Sequence, residues 1–233
     1  MKKRYIAIII VLLAIVSLSI YSGNNYSPAD NEALKYLNVS ENVSISKVSN
    51  GVFLDGPGND TAVIFYPGAK IEYTSYLPLM NNLALKGVDS YIVEMPLNLA
   101  FLGMNSADDI IKNSNYSHYV LAGHSLGAYA ASSYCAKHNN VDALVLLAGY
   151  SNKEIDIPVL SIYGSNDKIL NLETYNDSKL HYKNFTEHII EGGNHGQFGN
   201  YGLQKDDGKA TINSTQQQNE TANKIIKFID SLF

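Results

Sequence analysis

The stretch His118-Tyr119-Val120-Leu121-Ala122-Gly123-His124-Ser125-Leu126-Gly127 decides the fold. Its first half is a short, continuous apolar run, as expected of a strand buried on both faces. Its second half matches Gly-x-Ser-x-Gly and opens directly onto Leu126–His138, a helical stretch rich in Ala and Tyr. Glycines at this turn let helix and strand approach closely, so the Ser125 hydroxyl is thrust up at the carboxyl end of the sheet. The pentapeptide alone is a modest signal; the strand before it and the helix after it supply the specificity. The competing reading is a Gly-rich turn with an ordinary helix-capping serine.

Outward from this elbow the chain alternates between two periods. On the N-terminal side, Val43–Val48 and Val52–Leu54 read as strands of a hairpin joined by Asn50-Gly51. Ala62–Tyr66 is a buried strand, Tyr73–Lys86 a helix with Gly87 at its C-terminus, and Asp89–Met95 a strand. A helix of about eight residues follows, capped by Ser106 with Asp108 and Asp109 in its first turn. On the C-terminal side, Ala143–Ala148, Val159–Tyr163 and Thr186–Ile190 read as strands. Leu172–Lys179 and Gln216–Leu232 read as helices, the last with Ile225, Ile226, Phe228 and Ile229 on one side. An antiparallel start followed by alternating strands and helices implies an α/β domain, its mostly parallel sheet covered on both faces.

A serine hydroxyl becomes an effective nucleophile only when a base takes its proton and a third group orients that base. Asp167 lies four residues past the strand Val159–Tyr163, and His195 lies in the Gly-rich loop after the last strand. Both positions are loops at the end of a strand, and the order Ser, Asp, His suits an elbow of this kind. The rivals sit less well. His118, His138, His181 and His188 fall in or beside strands and helices, His124 is the variable position of the elbow, Asp156 precedes its strand, and Asp177 lies within a helix. Asn166 cannot carry the charge. An oxyanion hole needs two backbone N–H donors. Leu126 supplies one, and the loop Tyr66-Pro67-Gly68-Ala69-Lys70 the other; Pro67 has no N–H and Gly68 makes the turn, which selects Ala69. Lys70 either attracts an anionic part of a substrate or is a solvated loop lysine.

These residues give the chain its resemblance to the α/β-hydrolase superfamily over about residues 40–233. It is most similar to the small bacterial group described as alpha/beta hydrolase fold-5. Tyr66-Pro-Gly-Ala-Lys-Ile71 carries the closer resemblance, as does Asn194-His-Gly-Gln-Phe-Gly-Asn-Tyr-Gly202 running into Lys205-Asp-Asp-Gly208. The resemblance implies the α/β-hydrolase fold with an eight-stranded sheet, Ser125 as nucleophile, Asp167 as acid and His195 as base; it implies no substrate. Only Gly149–Ile157 separates Ala148 from Pro158, too short for a cap domain, so an open mouth is expected. Met95–Asn105 is a candidate apolar wall or an ordinary connection. Phe198 is a candidate substrate contact, and Asp206 with Asp207 reads as a turn before a metal site. Cys135 reads as a buried core residue.

The N-terminus departs from this pattern. Lys2, Lys3 and Arg4 precede an apolar run from Ile6 to Ile20, broken only by Ser17 and Ser19. Residues 1–23 therefore read as an anchor entering the membrane through 5–21, or as a signal peptide cleaved after Ser17-Leu18-Ser19. In either case the basic cap stays in the cytoplasm and the rest crosses. Residues 24–37 read as a linker with a small helix at Glu32–Leu37, and 38–233 as the hydrolase domain.

The composition excludes other classes. The 233 residues carry 17 Lys+Arg against 22 Asp+Glu, a net charge of −5, which argues against a nucleic-acid partner. One cysteine excludes an intrachain disulfide and any Cys-rich zinc site. No cofactor and no metal are expected. The chemistry anticipated is cleavage of a small-molecule or lipid-like carboxylic ester outside the cytoplasmic membrane. A cell-envelope acyltransferase using the same triad and a non-catalytic binding domain are the alternatives.

Overall fold

The structure, a computed structural model, describes residues 26–37, 42–58 and 60–233, with isolated positions 5, 6, 8, 9, 12 and 13 before them. The expected anchor or signal segment otherwise lies outside the described residues. Among the described residues no helix is long and apolar enough to cross a membrane.

Eight strands form one sheet in the order β1-β2-β4-β3-β5-β6-β7-β8. They span Ser44–Val48 (β1), Gly51–Asp55 (β2), Thr61–Tyr66 (β3), Asp89–Val93 (β4), His118–His124 (β5), Ala143–Leu147 (β6), Ile155–Gly164 (β7) and Tyr182–Ile190 (β8). The β1–β2 and β2–β4 pairs are antiparallel and all others parallel. The central strands are long enough to bury both faces, and their side chains divide by parity. Ala62, Ile64 and Tyr66 of β3 face one core with Leu121, Leu144 and Leu146. Val63 and Phe65 face the other with Val120, Ala122, Val145 and Leu147.

The helices cover these faces. Leu77–Ala84 (α2) and Ser214–Asp230 (α6) lie over the second, where Leu79, Met80 and Leu83 join Ile225, Phe228 and Ile229. Ser106–Asn113 (α3) and Leu126–Cys135 (α4) lie over the first through Ala107, Ile110, Ala131 and Tyr134. Asn31–Lys35 (α1) precedes the sheet, and Leu172–Ser178 (α5) joins β7 to β8. Cys135 ends α4 and is half-buried against the first core rather than within it; desolvation pushes its thiol up to about 12.

Several boundaries move. The helix expected over Tyr73–Lys86 begins as a 3₁₀ turn, Tyr73–Tyr76, before α2. It closes where Gly87 N–H bonds the Ala84 carbonyl and Val88 N–H that of Leu83. The α3 cap position is Asn105 rather than Ser106, with no side-chain bond. The hairpin is also corrected. Val48 pairs with Gly51, so Ser49 and Asn50 make the turn, and Gly51 belongs to β2 with φ of 145°. The strand β7 starts at Ile155 and thus contains Asp156, whose carboxylate pairs with Lys183 at 2.7 Å near the amino end of the strand. The connection from β6 to β7 is accordingly shorter still, with no cap domain in it.

The stretch read as a linker is tied down from Tyr26 onward. Ser27 N–H donates to Lys70 O at 2.8 Å and Glu72 N–H to Ser27 O at 3.0 Å, while Asp30 N–H donates to Asn200 O at 2.9 Å. Backbone partners hold this segment against the loop after β3, so it belongs to the body of the domain.

Candidate active site

Parallel strands deliver their carboxyl ends to one edge of the sheet, so the loops after β3, β5, β7 and β8 meet there. Ser125 follows β5 with φ 53° and ψ −118°, a conformation costly for a non-glycine residue. Its N–H is held by Leu147 O at 2.9 Å from the neighbouring strand. Gly127 makes the turn possible, because a Cβ there would sit 2.0 Å from the Tyr66 carbonyl oxygen. That contact is where the elbow touches the loop after β3.

Asp167 and His195 come together as expected. The His195 Nδ1 lies 2.9 Å from Asp167 Oδ2, with both side chains nearly sealed from solvent. The other oxygen, Asp167 Oδ1, accepts the N–H groups of Ile169 and Leu170, each at 2.8 Å. A carboxylate fixed by three donors holds the imidazole in one orientation. Asn166 instead donates to Lys209 O, away from the pair. Ser125 and His195 line the same cleft, but the anticipated hydrogen bond between them is not formed. His195 Nε2 is buried and has no hydrogen-bond partner among the described residues. Nucleophile–base contacts are commonly looser before substrate binds and tighten in the Michaelis complex.

Among the candidate oxyanion donors, the loop geometry favours Ala69. Gly68 N–H donates to Tyr76 Oη at 3.1 Å, and Lys70 N–H donates to Asn98 O at 2.7 Å. Pro67 has none, which leaves Ala69. Leu126, first in α4, has no intrahelical acceptor for its N–H. Lys70 has φ of 61° and lines a second cavity that also reaches Ser125.

Phe198, named from sequence as a substrate contact, is corrected, and of the two readings of Met95–Asn105 the connection is the one that fits. Phe198 has no exposed surface; its ring packs 5.6 Å from that of His124, behind the site. Met95–Asn105 lines neither cavity at Ser125. It braces the oxyanion loop instead: Asn98 O holds Lys70 N–H, and Met104 O accepts the Tyr66 hydroxyl at 2.7 Å. The walls are Leu126, Tyr129, Tyr150, Ile169 and Leu170, in a cleft of about 320 Å³.

Three residues that sequence reasoning passed over complete the setting. The fully buried His124 places Nδ1 2.8 Å from Tyr76 Oη and Nε2 3.1 Å from His195 O. Tyr76 Oη accepts from Gly68, so its proton points to Nδ1, and Nε2–H of a neutral His124 donates to the His195 carbonyl. Burial first, and the neighbouring His195 ring second, hold the His124 imidazole well below the usual histidine range. One buried chain of bonds therefore joins the oxyanion loop to the loop of the base. The third residue is Asp207. Its Oδ2 accepts Gly196 N–H at 2.9 Å and its Oδ1 accepts Lys168 N–H at 3.3 Å, stapling the base loop to the acid loop. That is the work of the Asp206-Asp207 turn; among the described residues no cluster fit to hold a metal ion occurs. The remaining histidines lie apart, His188 bonded to Glu220 and His181 to Glu154.

Known proteins share this fold. A profile of the Alpha/beta hydrolase family matches residues 62–219. No curated protein sequence matches. Among solved structures, a predicted CIB-like hydrolase from Thermoplasma acidophilum superposes with a TM-score of 0.61 at 14% identity, covering 82% of this chain and 98% of its own. Alpha/beta hydrolase domain-containing protein 10 from mouse gives 0.60 at 12% identity, covering 82% and 99%. MGS-MChE2, an alpha/beta hydrolase enzyme from a lagoon-sediment metagenome, gives 0.58 at 16%, covering 80% and 99%. With a matching profile over most of its length and this sheet order, the chain belongs to the alpha/beta hydrolase family.

Proposed function

We propose that the protein is a serine hydrolase that cleaves carboxylic esters through an acyl-enzyme on Ser125. The observation that carries this reading is the buried Asp167–His195 pair, 2.9 Å apart, opening on the same cleft as a serine held at the strained elbow. Ser125 Oγ attacks the ester carbonyl while His195 Nε2 takes its proton. Asp167 keeps Nδ1–H engaged and stabilises the imidazolium that forms. The N–H groups of Ala69 and Leu126 receive the oxyanion, where each preorganised donor is worth about 10²–10³ in rate. His195 then returns the proton to the leaving alcohol, and water, activated by the same imidazole, releases the acid.

A fluorophosphonate probe tests the assignment. Wild-type protein is expected to be labelled and Ser125→Ala not; equal labelling of both removes Ser125 from the reaction.

The basic cap and apolar run of residues 2–20 support a place outside the cytoplasmic membrane, tethered through 5–21. The mature mass tests the tether: the encoded mass is expected, and loss of about 20 residues means a released protein.

A further inference from the structure

The space around Ser125 has two arms with different chemistry. The first, about 320 Å³, is walled by Leu126, Tyr129, Tyr150, Ile169 and Leu170, and His195 opens into it. The second, about 370 Å³, lies on the Ala69 side and is walled by Tyr26, Tyr201, Leu203 and Gln204. Its only charged side chains, among the described residues, are Lys70 and Lys205. Glu72 and Glu94 act on Tyr26 and Asp207 on Tyr201 from behind this lining; Glu72 is engaged by Ala29 N–H at 3.0 Å and by the Tyr26 hydroxyl, and Asp207 by three backbone N–H groups. Past Tyr129 and Tyr150 the first arm adjoins a chamber of about 260 Å³ whose lining includes Asp177 and His181. His181 there is bonded to Glu154 at 2.6 Å. An anionic group thus finds two lysine side chains in the lining of one arm, and no lysine or arginine in the lining of the other.

The chemistry of the triad fixes which half of an ester lies where. The leaving oxygen must receive its proton from His195, so the alcohol belongs in the arm that His195 lines. The acyl chain then runs into the lysine arm. Resting on the serine-hydrolase reading above, we propose that the protein acts on half-esters of dicarboxylic acids. The alcohol portion lies along Tyr129 and Tyr150, and the free carboxylate of the acyl chain is held by Lys70 and Lys205. The steps balance without a further reactant. Ser125 Oγ replaces the alkoxide at the carbonyl carbon, and the serine proton passes through His195 to the departing alcohol. Water next replaces Ser125 Oγ, its proton passing through His195 back to the serine, and a dicarboxylate is released.

The test compares two esters of equal chain length, mono-p-nitrophenyl adipate and p-nitrophenyl hexanoate, on the full chain. An exposed ion pair is worth a few-fold and two together about tenfold. The expected ratio of kcat/KM, adipate over hexanoate, is therefore about 10 in the wild type, carried by KM and shrinking as salt is raised. It is expected to fall by about threefold in Lys205→Met and below one in Lys205→Glu. The Lys205 side chain is exposed, so these variants keep the test open if Lys70→Met, at a positive-φ position, disturbs its loop. A wild-type ratio near one, or a ratio that Lys205→Glu leaves unchanged, overturns the proposal while hexanoate turnover and Ser125 labelling uphold the hydrolase. Absence of both turnover and labelling overturns the hydrolase reading and this proposal with it.

Discussion

His124 occupies the position of the elbow that the motif leaves free, yet it is the residue most tightly built into this site. Its two nitrogens meet Tyr76 Oη and His195 O, and Tyr76 in turn holds Gly68 N–H. Nothing in the pentapeptide marks this, because the partners come from segments 48 and 71 residues away. Asp207 was equally hidden: its sequence context indicates a turn, which supplies the Gly208 N–H, and only the approach of two loops adds the N–H groups of Lys168 and Gly196 to its carboxylate. Since His124 touches no reacting atom, it is a positioning residue. Replacing it by Phe leaves the Tyr76 hydroxyl without an acceptor and the His195 carbonyl without a donor, at about 1–3 kcal/mol for each buried group. The base and the oxyanion loop would then drift, and misplacement by about an ångström can cost about 10²-fold. The expected result for His124→Phe is a fall in kcat of ten- to a hundredfold with KM nearly constant, partly restored in His124→Gln, which can still reach the His195 carbonyl. Steady-state kinetics at a temperature where circular dichroism shows both variants folded separate this from simple instability. Full kcat in folded His124→Phe would make the network a packing feature only.

The elements were legible wherever a local signal determined them. The buried strands β3, β5 and β6 appear as short apolar runs, whereas α6 starts at Ser214, two residues before the start read at Gln216, because Asn213 and Gln216 bond reciprocally as a capping box. The elbow follows from local strand–turn–helix chemistry, and Asp167 and His195 stand in loops just past strand ends, which is why the three residues proposed to react could be named from sequence. The substrate walls could not, because Tyr129, Tyr150, Ile169 and Leu170 become neighbours only through the crossovers of the sheet. The hairpin shows the limit at short range. Asn50-Gly51 suggests a mirror-image turn with both residues at positive φ. In the structure the turn is Ser49-Asn50, and the adjacent strand β4 decides the matter: a Cβ on Gly51 would lie 2.0 Å from Ile92 O. With φ of 145° as well, Gly51→Ala is expected to cost about 2–3 kcal/mol. Urea denaturation checks this; a midpoint unchanged from wild type would mean that β2 and β4 separate easily.

At the scale of the whole molecule, four loops from strands scattered through the chain must converge, so the site exists only while the sheet is intact. Burying His124 at that convergence makes the stability of the domain depend on pH. In the folded state burial keeps the imidazole neutral well below the usual histidine range, whereas in the unfolded chain it titrates near 6.5. Below about pH 6.5 the unfolded state therefore binds one more proton than the folded state, and the stabilisation is complete above that pH and lost as pH falls. The limiting slope for one proton is about 1.4 kcal/mol per pH unit, a sizeable fraction of the roughly 5–15 kcal/mol typical of a domain. Most carboxylates remain ionised between pH 6.5 and 5. Asp89, whose carboxyl is raised by burial, acts in the opposite sense as it takes up its proton. Subtracting a variant that keeps Asp89 cancels that contribution. Urea unfolding of wild type and His124→Phe at pH 7.5 and 5.5 is expected to show the wild type losing about 1 kcal/mol more than the variant on acidification. An equal loss in both would mean that His124 takes up its proton as readily in the folded protein as in the unfolded chain. The chain of bonds from Gly68 to His195 would then survive with a charged imidazole at its centre, against the neutral tautomer that its geometry requires.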